Sequence, residues 1–226
     1  MKKQYWLILF FVILITDLVA VQFNYTTVEH IFKPLIAIWL LAYFILRLRA
    51  VSSSLKKWII SALFFSWLGD LSLLLQNDND LFFLWGLTAF LIAHVFYIFF
   101  FHFIRIRENV KARWLAIVIV AVYYVILISI LAPHLRDMKS PVRIYAVVIS
   151  FMFMLALHML FIKNKVAGRW MMTGALLFVI SDSVLAIDKF YQPFEMAGVV
   201  VMLTYGLAQL FITEGAIRYI SSHDKE

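Results

Sequence analysis

Eight long apolar stretches constrain what this chain can fold into more than any other feature. They lie at residues 5–22, 31–46, 58–76, 82–104, 114–132, 142–162, 170–188 and 197–219. All but the second approach the roughly 20 residues that a helix needs to cross a bilayer. Because backbone polar groups cannot face lipid unpaired, such stretches favour helices over open strands. The sequence therefore predicts an all-α, polytopic membrane protein with eight transmembrane helices.

Composition limits the domain organisation. Of 226 residues, 65% are hydrophobic and 15% are charged, whereas soluble domains are about 45–50% apolar and about 25% charged. Eight spans need about 160 residues, which leaves room only for short loops. A single integral membrane domain over residues 1–226 is expected. The sequence has no cysteine, which excludes disulfides, thiolate nucleophiles and cysteine-ligated metal centres.

The first stretch has an alternative interpretation as a secretory signal peptide. Lys2 and Lys3 precede its apolar run, as in the charged start of such peptides. Residues 18–20 (LVA) form a poor small-x-small cleavage site. An uncleaved first helix is therefore expected.

The distribution of positive charge predicts an orientation. If the N-terminus is cytoplasmic, all but five of the 20 Lys and Arg residues lie on the cytoplasmic side; the exceptions are Lys33, Arg136, Lys139, Arg143 and Lys189. This bias fits the positive-inside rule and attracts anionic lipid, and no basic patch interleaved with aromatics indicates nucleic acid binding. We therefore expect a cell-membrane protein with both termini cytoplasmic. Its expected partners are membrane lipids, with no nucleic acid and no obligatory protein partner.

Two short segments of the chain have similar sequences. Residues 68–73 (LGDLSL) and 180–185 (ISDSVL) share the pattern apolar–small–Asp–x–x–Leu. Each precedes a short polar loop and a helix that opens near a glycine, Gly86 or Gly198. Four spans separate the two segments, so their helices run in the same direction. This suggests a parallel repeat of four plus four helices, as in other membrane proteins.

Two aspartates lie deep within predicted spans. An ionised group at the bilayer centre costs about 2.5–3.5 kcal/mol or more and usually marks function. Asp17, Asp188 and Glu214 lie late in their helices, where an interface is within reach. Asp70 and Asp182 lie about six residues from the outer ends of theirs, or roughly 9 Å, which is too deep for so short a side chain to snorkel.

If helices three and seven face each other, Asp70 and Asp182 form a carboxylate pair in a low-dielectric site. One acid and one base at the same pH is what hydrolysis without a metal requires. The alternative is a structural role, in which each aspartate caps a neighbouring helix.

Helix four carries a polar face within its apolar run. His94 and Tyr97 share this face with Phe90, because residues three and four apart are neighbours on a helix. Histidines together with Asp70 could ligate zinc, but neither H-x-x-x-H nor H-E-x-x-H occurs, so no metal and no cofactor is expected. The chain also has no G-x-S-x-G nucleophile motif. His94 is equally well explained as a histidine that makes one interhelical hydrogen bond.

Two further sites combine polar groups with apolar spans. Tyr205 and Gln209 lie four residues apart on helix eight, so both can point into the bundle. Gln209 could equally hold two helices together by a hydrogen bond. Lys33 and Pro34 are expected in the first turn of helix two at the outer face. There Lys33 could hold a lipid phosphate or extend to the interface.

In their order and spacing, these motifs resemble the YhhN family, multi-pass membrane proteins that include animal lysoplasmalogenases. The matching pieces are Lys33-Pro34-Leu35, Gly69-Asp70-x-x-Leu73, Gly86-x-x-x-Phe90-x-x-x-His94-x-x-Tyr97, Ser181-Asp182-x-x-Leu185 and Tyr205-x-x-x-Gln209. They extend over nearly the whole chain. One departure is Gly206, which stands where the family often has a second aromatic residue.

The resemblance implies hydrolysis of the vinyl ether bond of lysoplasmalogens, which are lysophospholipids, to a fatty aldehyde and a glycerophospho-base. Such bonds break through an oxocarbenium ion, as in glycosidases with paired carboxylates. Asp70 and Asp182 are therefore the expected catalytic residues, with their individual roles open. The expected substrate-binding residues are Lys33, His94, Tyr97, Tyr205 and Gln209.

Three alternatives remain open at this point. The same carboxylates could hydrolyse another ether or ester lipid, which would release no aldehyde. Buried aspartates in a parallel repeat also suit a proton-coupled transporter, although the 4 prolines and 7 glycines give no sign of broken midplane helices. A zinc hydrolase of the seven-helix ceramidase type would need converging histidines and a serine.

Overall fold

The computed structural model describes residues 3–75 and 80–223 and is helical, with eight helices long and apolar enough to cross a membrane. They are α1 (Lys3–Gln22), α2 (Thr26–Arg47), α3 (Lys56–Leu74), α4 (Asp80–Arg107), α5 (Trp114–Leu131), α6 (Lys139–His158), α7 (Lys165–Phe190) and α8 (Ala197–His223). The predicted all-α fold with eight spans is confirmed. The polar loop at 77–79 and two residues of the charge bias, Lys2 and Lys225, lie outside the described residues.

The predicted start of the second helix was wrong. α2 begins at Thr26, so Pro34 lies inside the helix and not in its first turn. The start was missed because residues 26–30 (TTVEH) are mostly polar and do not extend the apolar run. A proline inside a helix removes one backbone hydrogen bond, which membrane bundles tolerate because neighbouring groups compensate. As a result, Lys33 lies within the helix and is buried.

The helices pack mainly as sequential pairs around α8. The most extensive contacts join α7 to α8 and α3 to α4, and α8 also contacts α1, α2 and α3. α8 is the most buried of the eight spans and α5 the least. α5 packs on α6 and turns a row of exposed apolar side chains outward, including Ile117, Val122 and Ile126, as expected of a helix that faces lipid.

Glycines allow α7 and α8 to approach closely. A Cβ atom added at Gly174 would lie 2.8 Å from the Ala208 carbonyl oxygen and 2.8 Å from the Ile212 nitrogen. A Cβ atom added at Gly215 would lie 2.9 Å from the Met171 nitrogen. Small residues at helix contacts are typical of membrane bundles, where packing replaces the hydrophobic driving force.

Two acidic residues expected near an interface are instead buried. Glu214 accepts hydrogen bonds from the Tyr43 hydroxyl at 2.5 Å and the Lys3 ammonium at 2.6 Å, which ties α1, α2 and α8 together. It lies well inside the span because α8 continues to His223. Asp17 is also fully buried, and neither of its carboxyl oxygens has a hydrogen-bond partner among the described residues. Both side chains face the bundle. Their positions late in an apolar run did not indicate this burial.

The ends of α3 and α7 also differ from those expected. α3 ends at Leu74, four residues after Asp70, and α7 ends at Phe190, eight residues after Asp182. The expected spacing of about six residues for both was therefore wrong. Within the described residues, α3 and α7 share no extensive interface, and α8 contacts both. The four-plus-four repeat and the single domain stay predictions.

Candidate functional site

A cavity of about 230 Å³ is lined by residues of α1, α2, α3, α4, α6, α7 and α8. Asp70 of α3 and Asp182 of α7 both line it, although their helices are not packed against each other. Lys33 and Tyr205, two further residues singled out from the sequence, also line it. The rest of the wall is mainly apolar and includes Leu73, Phe83, Leu87, Phe90, Val142 and Met202. The cavity thus combines a few polar groups with an apolar lining, the usual character of a small-molecule site.

Asp70 is held by a tyrosine from α8. The Tyr205 hydroxyl donates a hydrogen bond of 2.7 Å to Asp70 Oδ2, and Asp70 is 1% exposed. The residue before it is Gly69, where an added Cβ would lie 2.6 Å from the Phe90 ring. Glycine at this position therefore lets Phe90 lie directly against α3 beside the carboxyl group. This packing fixes both the aspartate and one wall of the cavity.

Asp182 has a matching partner from α6. The Tyr145 hydroxyl donates a hydrogen bond of 2.5 Å to Asp182 Oδ2. The Asp182 side chain is 14% exposed, and His94 Nε2 lies 3.7 Å from the same oxygen, beyond hydrogen-bond distance. The His94 ring instead makes edge contacts with Tyr145 and Phe178. Asp70 and Asp182 thus each accept a hydrogen bond from a different buried tyrosine. A third aspartate of the lining, Asp188, accepts one from the Phe194 backbone N–H at 3.2 Å.

Lys33 supplies the positive charge of the cavity. Its ammonium donates to Glu29 Oε1 at 3.1 Å, one helical turn earlier in α2. Both side chains line the cavity. An ammonium has three protons, so Lys33 can bind Glu29 and still donate to a second anion. This is the chemistry required to hold a phosphate.

Three predicted binding residues lie behind the cavity wall. Tyr97 and Gln209 are fully buried, and the Tyr97 hydroxyl donates to Gln209 Oε1 at 2.5 Å. His94 is also fully buried, and its ring lies beside the Phe90 backbone and the Asp182 carboxyl group. None of the three belongs to the lining. They form a polar layer beside the aspartates, from which they can orient groups but not touch a ligand in the cavity.

Sequence reasoning missed two residues that contact the predicted ones. Tyr145 binds Asp182, and Glu29 binds Lys33. The available signal for Tyr145 was that it is the one tyrosine of the sixth apolar stretch, residues 142–162. Glu29 lies four residues before Lys33, a spacing that would have indicated an ion pair had the start of α2 been recognised.

The arrangement can transfer protons in an apolar setting. Among the described residues, four carboxyl groups and one lysine line the cavity. Two of these carboxyl groups, Asp70 and Asp182, are each oriented by a tyrosine hydroxyl. Within residues 3–75 and 80–223 no group of three His, Asp or Glu side chains is arranged to hold a metal ion. General acid–base catalysis by carboxyl groups needs only positioned side chains of this kind.

Comparison with known proteins identifies the family. The human lysoplasmalogenase TMEM86B is 37% identical over 134 residues, which are 59% of this chain and 53% of that protein. A Mycobacterium tuberculosis lysoplasmalogenase is 30% identical over 163 residues, 71% of this chain and 60% of that protein. The bovine lysoplasmalogenase TMEM86A is 30% identical over 164 residues, 70% of this chain and 65% of that protein.

In each case the alignment spans less than two thirds of the relative. No solved structure matches the chain. The model of the YhhN family, however, matches residues 28–216, which include every residue of the cavity considered above. The resemblance inferred from the motifs is therefore confirmed: this chain is a multi-pass membrane protein that belongs to the YhhN family.

Proposed function

We propose that this protein hydrolyses the vinyl ether bond of lysoplasmalogens in the membrane. The observation that carries the proposal is that Asp70 and Asp182 line one cavity together with a buried lysine. The names of the relatives support the same substrate, because all three are lysoplasmalogenases. The phosphate of a lysophospholipid can bind Lys33, and its apolar chain can contact the apolar part of the cavity wall.

The reaction needs one proton donor and one base. One carboxyl group gives its proton to the alkenyl carbon that is not bonded to oxygen, and an oxocarbenium ion forms. The other, ionised carboxylate stabilises this cation and takes a proton from the water that adds to it. The resulting hemiacetal collapses: its hydroxyl gives up a proton as the aldehyde C=O forms, its carbon–oxygen bond to glycerol breaks, and the glycerol oxygen takes up a proton. Fatty aldehyde and glycerophospho-base leave, and no net proton is consumed.

The other polar residues have supporting roles in this proposal. Tyr145 and Tyr205 hold the two carboxyl groups in a fixed orientation through their hydrogen bonds. Lys33 binds the phosphate in a charge-assisted contact. His94, Tyr97 and Gln209 are positioning residues behind the wall.

The test is aldehyde release by the purified, detergent-solubilised full-length protein. We expect a fatty aldehyde from lysoplasmenyl-ethanolamine and none from the matched lysolipids with a saturated ether or an ester at the same position. Cleavage of the ester instead would favour the other lipid hydrolase. Activity abolished by chelators and restored by zinc would indicate the metallohydrolase, and proton flux in liposomes without product would indicate a transporter.

We expect the Tyr145→Phe variant to lose at least about tenfold in kcat, because hydrogen bonds to charged groups contribute about 1.5–3 kcal/mol. The ring stays, so the packing against His94 is kept and only the hydroxyl contact with Asp182 is lost. The matched control is Tyr123→Phe: Tyr123 contacts Ser183 at 2.9 Å and lies outside the cavity lining. Equal kcat values in the two variants would show that the hydroxyl of Tyr145 does not contribute to the reaction.

We expect the Lys33→Met variant to raise KM for the lysoplasmalogen about tenfold or more, since a charge-assisted contact to phosphate is lost. With a 1-alkenyl glycerol that lacks the phosphate, wild type and variant should behave alike. Lys139→Met, at an exposed lysine that begins α6, is the control. A KM effect of the same size on the phosphate-free substrate would contradict a phosphate site at Lys33.

A further inference from the structure

A second cavity lies at the other end of the bundle. It is a groove of about 580 Å³ formed by residues 111–113, the start of α5 and the end of α6 with the turn that follows. The central cavity is lined near the beginning of α6, at Val142 and Tyr145, whereas the groove is lined near its end, at Leu157 and His158. The groove is therefore a separate site, and the proposed hydrolysis does not use it.

Two cations border the groove without a carboxylate partner. Lys111 and Arg113 are exposed, and neither makes an ion pair within the described part of the chain. The acidic residue closest in sequence, Glu108, is engaged elsewhere: it accepts hydrogen bonds from the Tyr219 hydroxyl, the Lys163 backbone and His223. The positive charge of the groove is thus available to an external anion.

The segment that carries Arg113 is fixed in place. The Arg113 backbone N–H donates to His158 Nε2 at 3.1 Å, and His158 Nδ1 donates to the Met154 carbonyl at 2.7 Å. The guanidinium group stacks on the Phe161 ring, 3.5 Å from its centre. His158 is 2% exposed. Because Arg113 is held before any ligand arrives, binding costs little side-chain entropy.

The remainder of the groove is mainly apolar. Leu115 and Ile119 of α5 line it together with Leu157 and Leu160, and Leu115 and Ile119 are exposed. Trp114 at its edge is 74% exposed, and exposed tryptophans are enriched at the membrane–water interface. A polar cationic end and an apolar length together match a molecule with an anionic head and a hydrocarbon chain.

We propose that this groove binds an anionic glycerophospholipid, with its phosphate on Lys111 and Arg113 and one acyl chain along Ile119 and Leu157. The site prefers a lipid with net negative charge, because zwitterionic lipids carry an ammonium group that these two cations repel. The bound lipid joins the start of α5 to the turn after α6. α5 is the least buried span, so this lipid stabilises the helix that gains least from protein contacts.

The test measures thermal unfolding of the purified full-length protein in neutral detergent as phosphatidylglycerol is added. We expect a saturable rise in Tm for the wild type, and none with phosphatidylcholine of the same chains. The Lys111→Gln/Arg113→Gln variant should bind phosphatidylglycerol about 30-fold more weakly, since each cation near an anionic head contributes about 1 kcal/mol. Ile119→Asn should also weaken binding, because it puts a polar group on the exposed apolar wall.

The control variant Arg49→Gln/Lys57→Gln also removes two positive charges, but from positions outside the groove. Lys57, like Arg113, lies over an aromatic ring. It should bind within about twofold of wild type. Equal weakening in both double variants, or an equal rise in Tm with phosphatidylcholine, would overturn the proposal. Glycerophosphoglycerol, which is the headgroup without acyl chains, provides a further test. If it raised Tm as much as phosphatidylglycerol does, the apolar wall would contribute nothing and the proposal would be overturned.

Discussion

Replacing Asp70 or Asp182 by asparagine is expected to lower kcat for a lysoplasmalogen at least about 100-fold, the lower bound for losing a positioned general acid or base. Asparagine has nearly the same shape and still accepts a hydrogen bond from the partner tyrosine, so the cavity should keep its form. It cannot, however, release or take up a proton at the reacting carbon or water. The measurement is initial aldehyde release at saturating substrate.

The matched control is Glu214→Gln. Glu214 is another buried carboxyl group within a span that accepts a hydrogen bond from a tyrosine, but it lies outside the cavity lining. It should keep kcat close to wild type, and the variants at Asp70 and Asp182 should unfold near the wild-type temperature. Because Asp70 and Asp182 act in one reaction, the double variant should be little worse than either single one. A single variant at Asp70 or Asp182 that folds normally and keeps near-normal kcat would refute the paired acids.

The Gly174→Val variant is expected to lose about 3 kcal/mol in the free energy of unfolding, the upper end for overpacking. The new Cβ would come within 2.8 Å of backbone atoms of Ala208 and Ile212. A helix backbone cannot move aside locally as a side chain can, so α7 and α8 would have to separate along their contact. The measurement is reversible unfolding in mixed detergent micelles, or Tm where unfolding is irreversible.

Gly198→Val provides the comparison, because it introduces the same side chain into a helix of the same bundle. A Cβ atom at Gly198 would meet only a methyl carbon of Val21, at 2.8 Å, which can turn away. Valine is a better helix former than glycine, so helix propensity alone penalises neither substitution. A loss at Gly198 as large as that at Gly174 would show that backbone proximity between α7 and α8 is not what matters.

Much of the fold followed from the sequence because lipid imposes a simple rule. An apolar run near membrane length must become a helix, and all eight runs did. The aspartates at 70 and 182 were conspicuous for the same reason, since a charge within such a run is costly. Both line the cavity, together with Lys33 and Tyr205.

What the sequence did not predict depends on contacts between helices. Nothing local indicates that Tyr145 would donate to Asp182, since 37 residues separate them. Glu214 was taken for an interfacial residue because its partners, Lys3 and Tyr43, come from α1 and α2. The polar first turns of α2 concealed Glu29 because hydropathy reports apolar runs and not helix starts.

The size of the central cavity has a consequence for the range of molecules that the protein could process. Its volume of about 230 Å³ is below the roughly 300–1,000 Å³ of pockets that enclose a drug-sized ligand. A long-chain lysolipid would therefore insert only its polar portion and its first few carbons, and its tail would remain among the surrounding lipids. Selectivity would then follow the linkage and the headgroup, with tolerance of chain length. The two products would part at once, the aldehyde partitioning into the bilayer and the glycerol fragment into water.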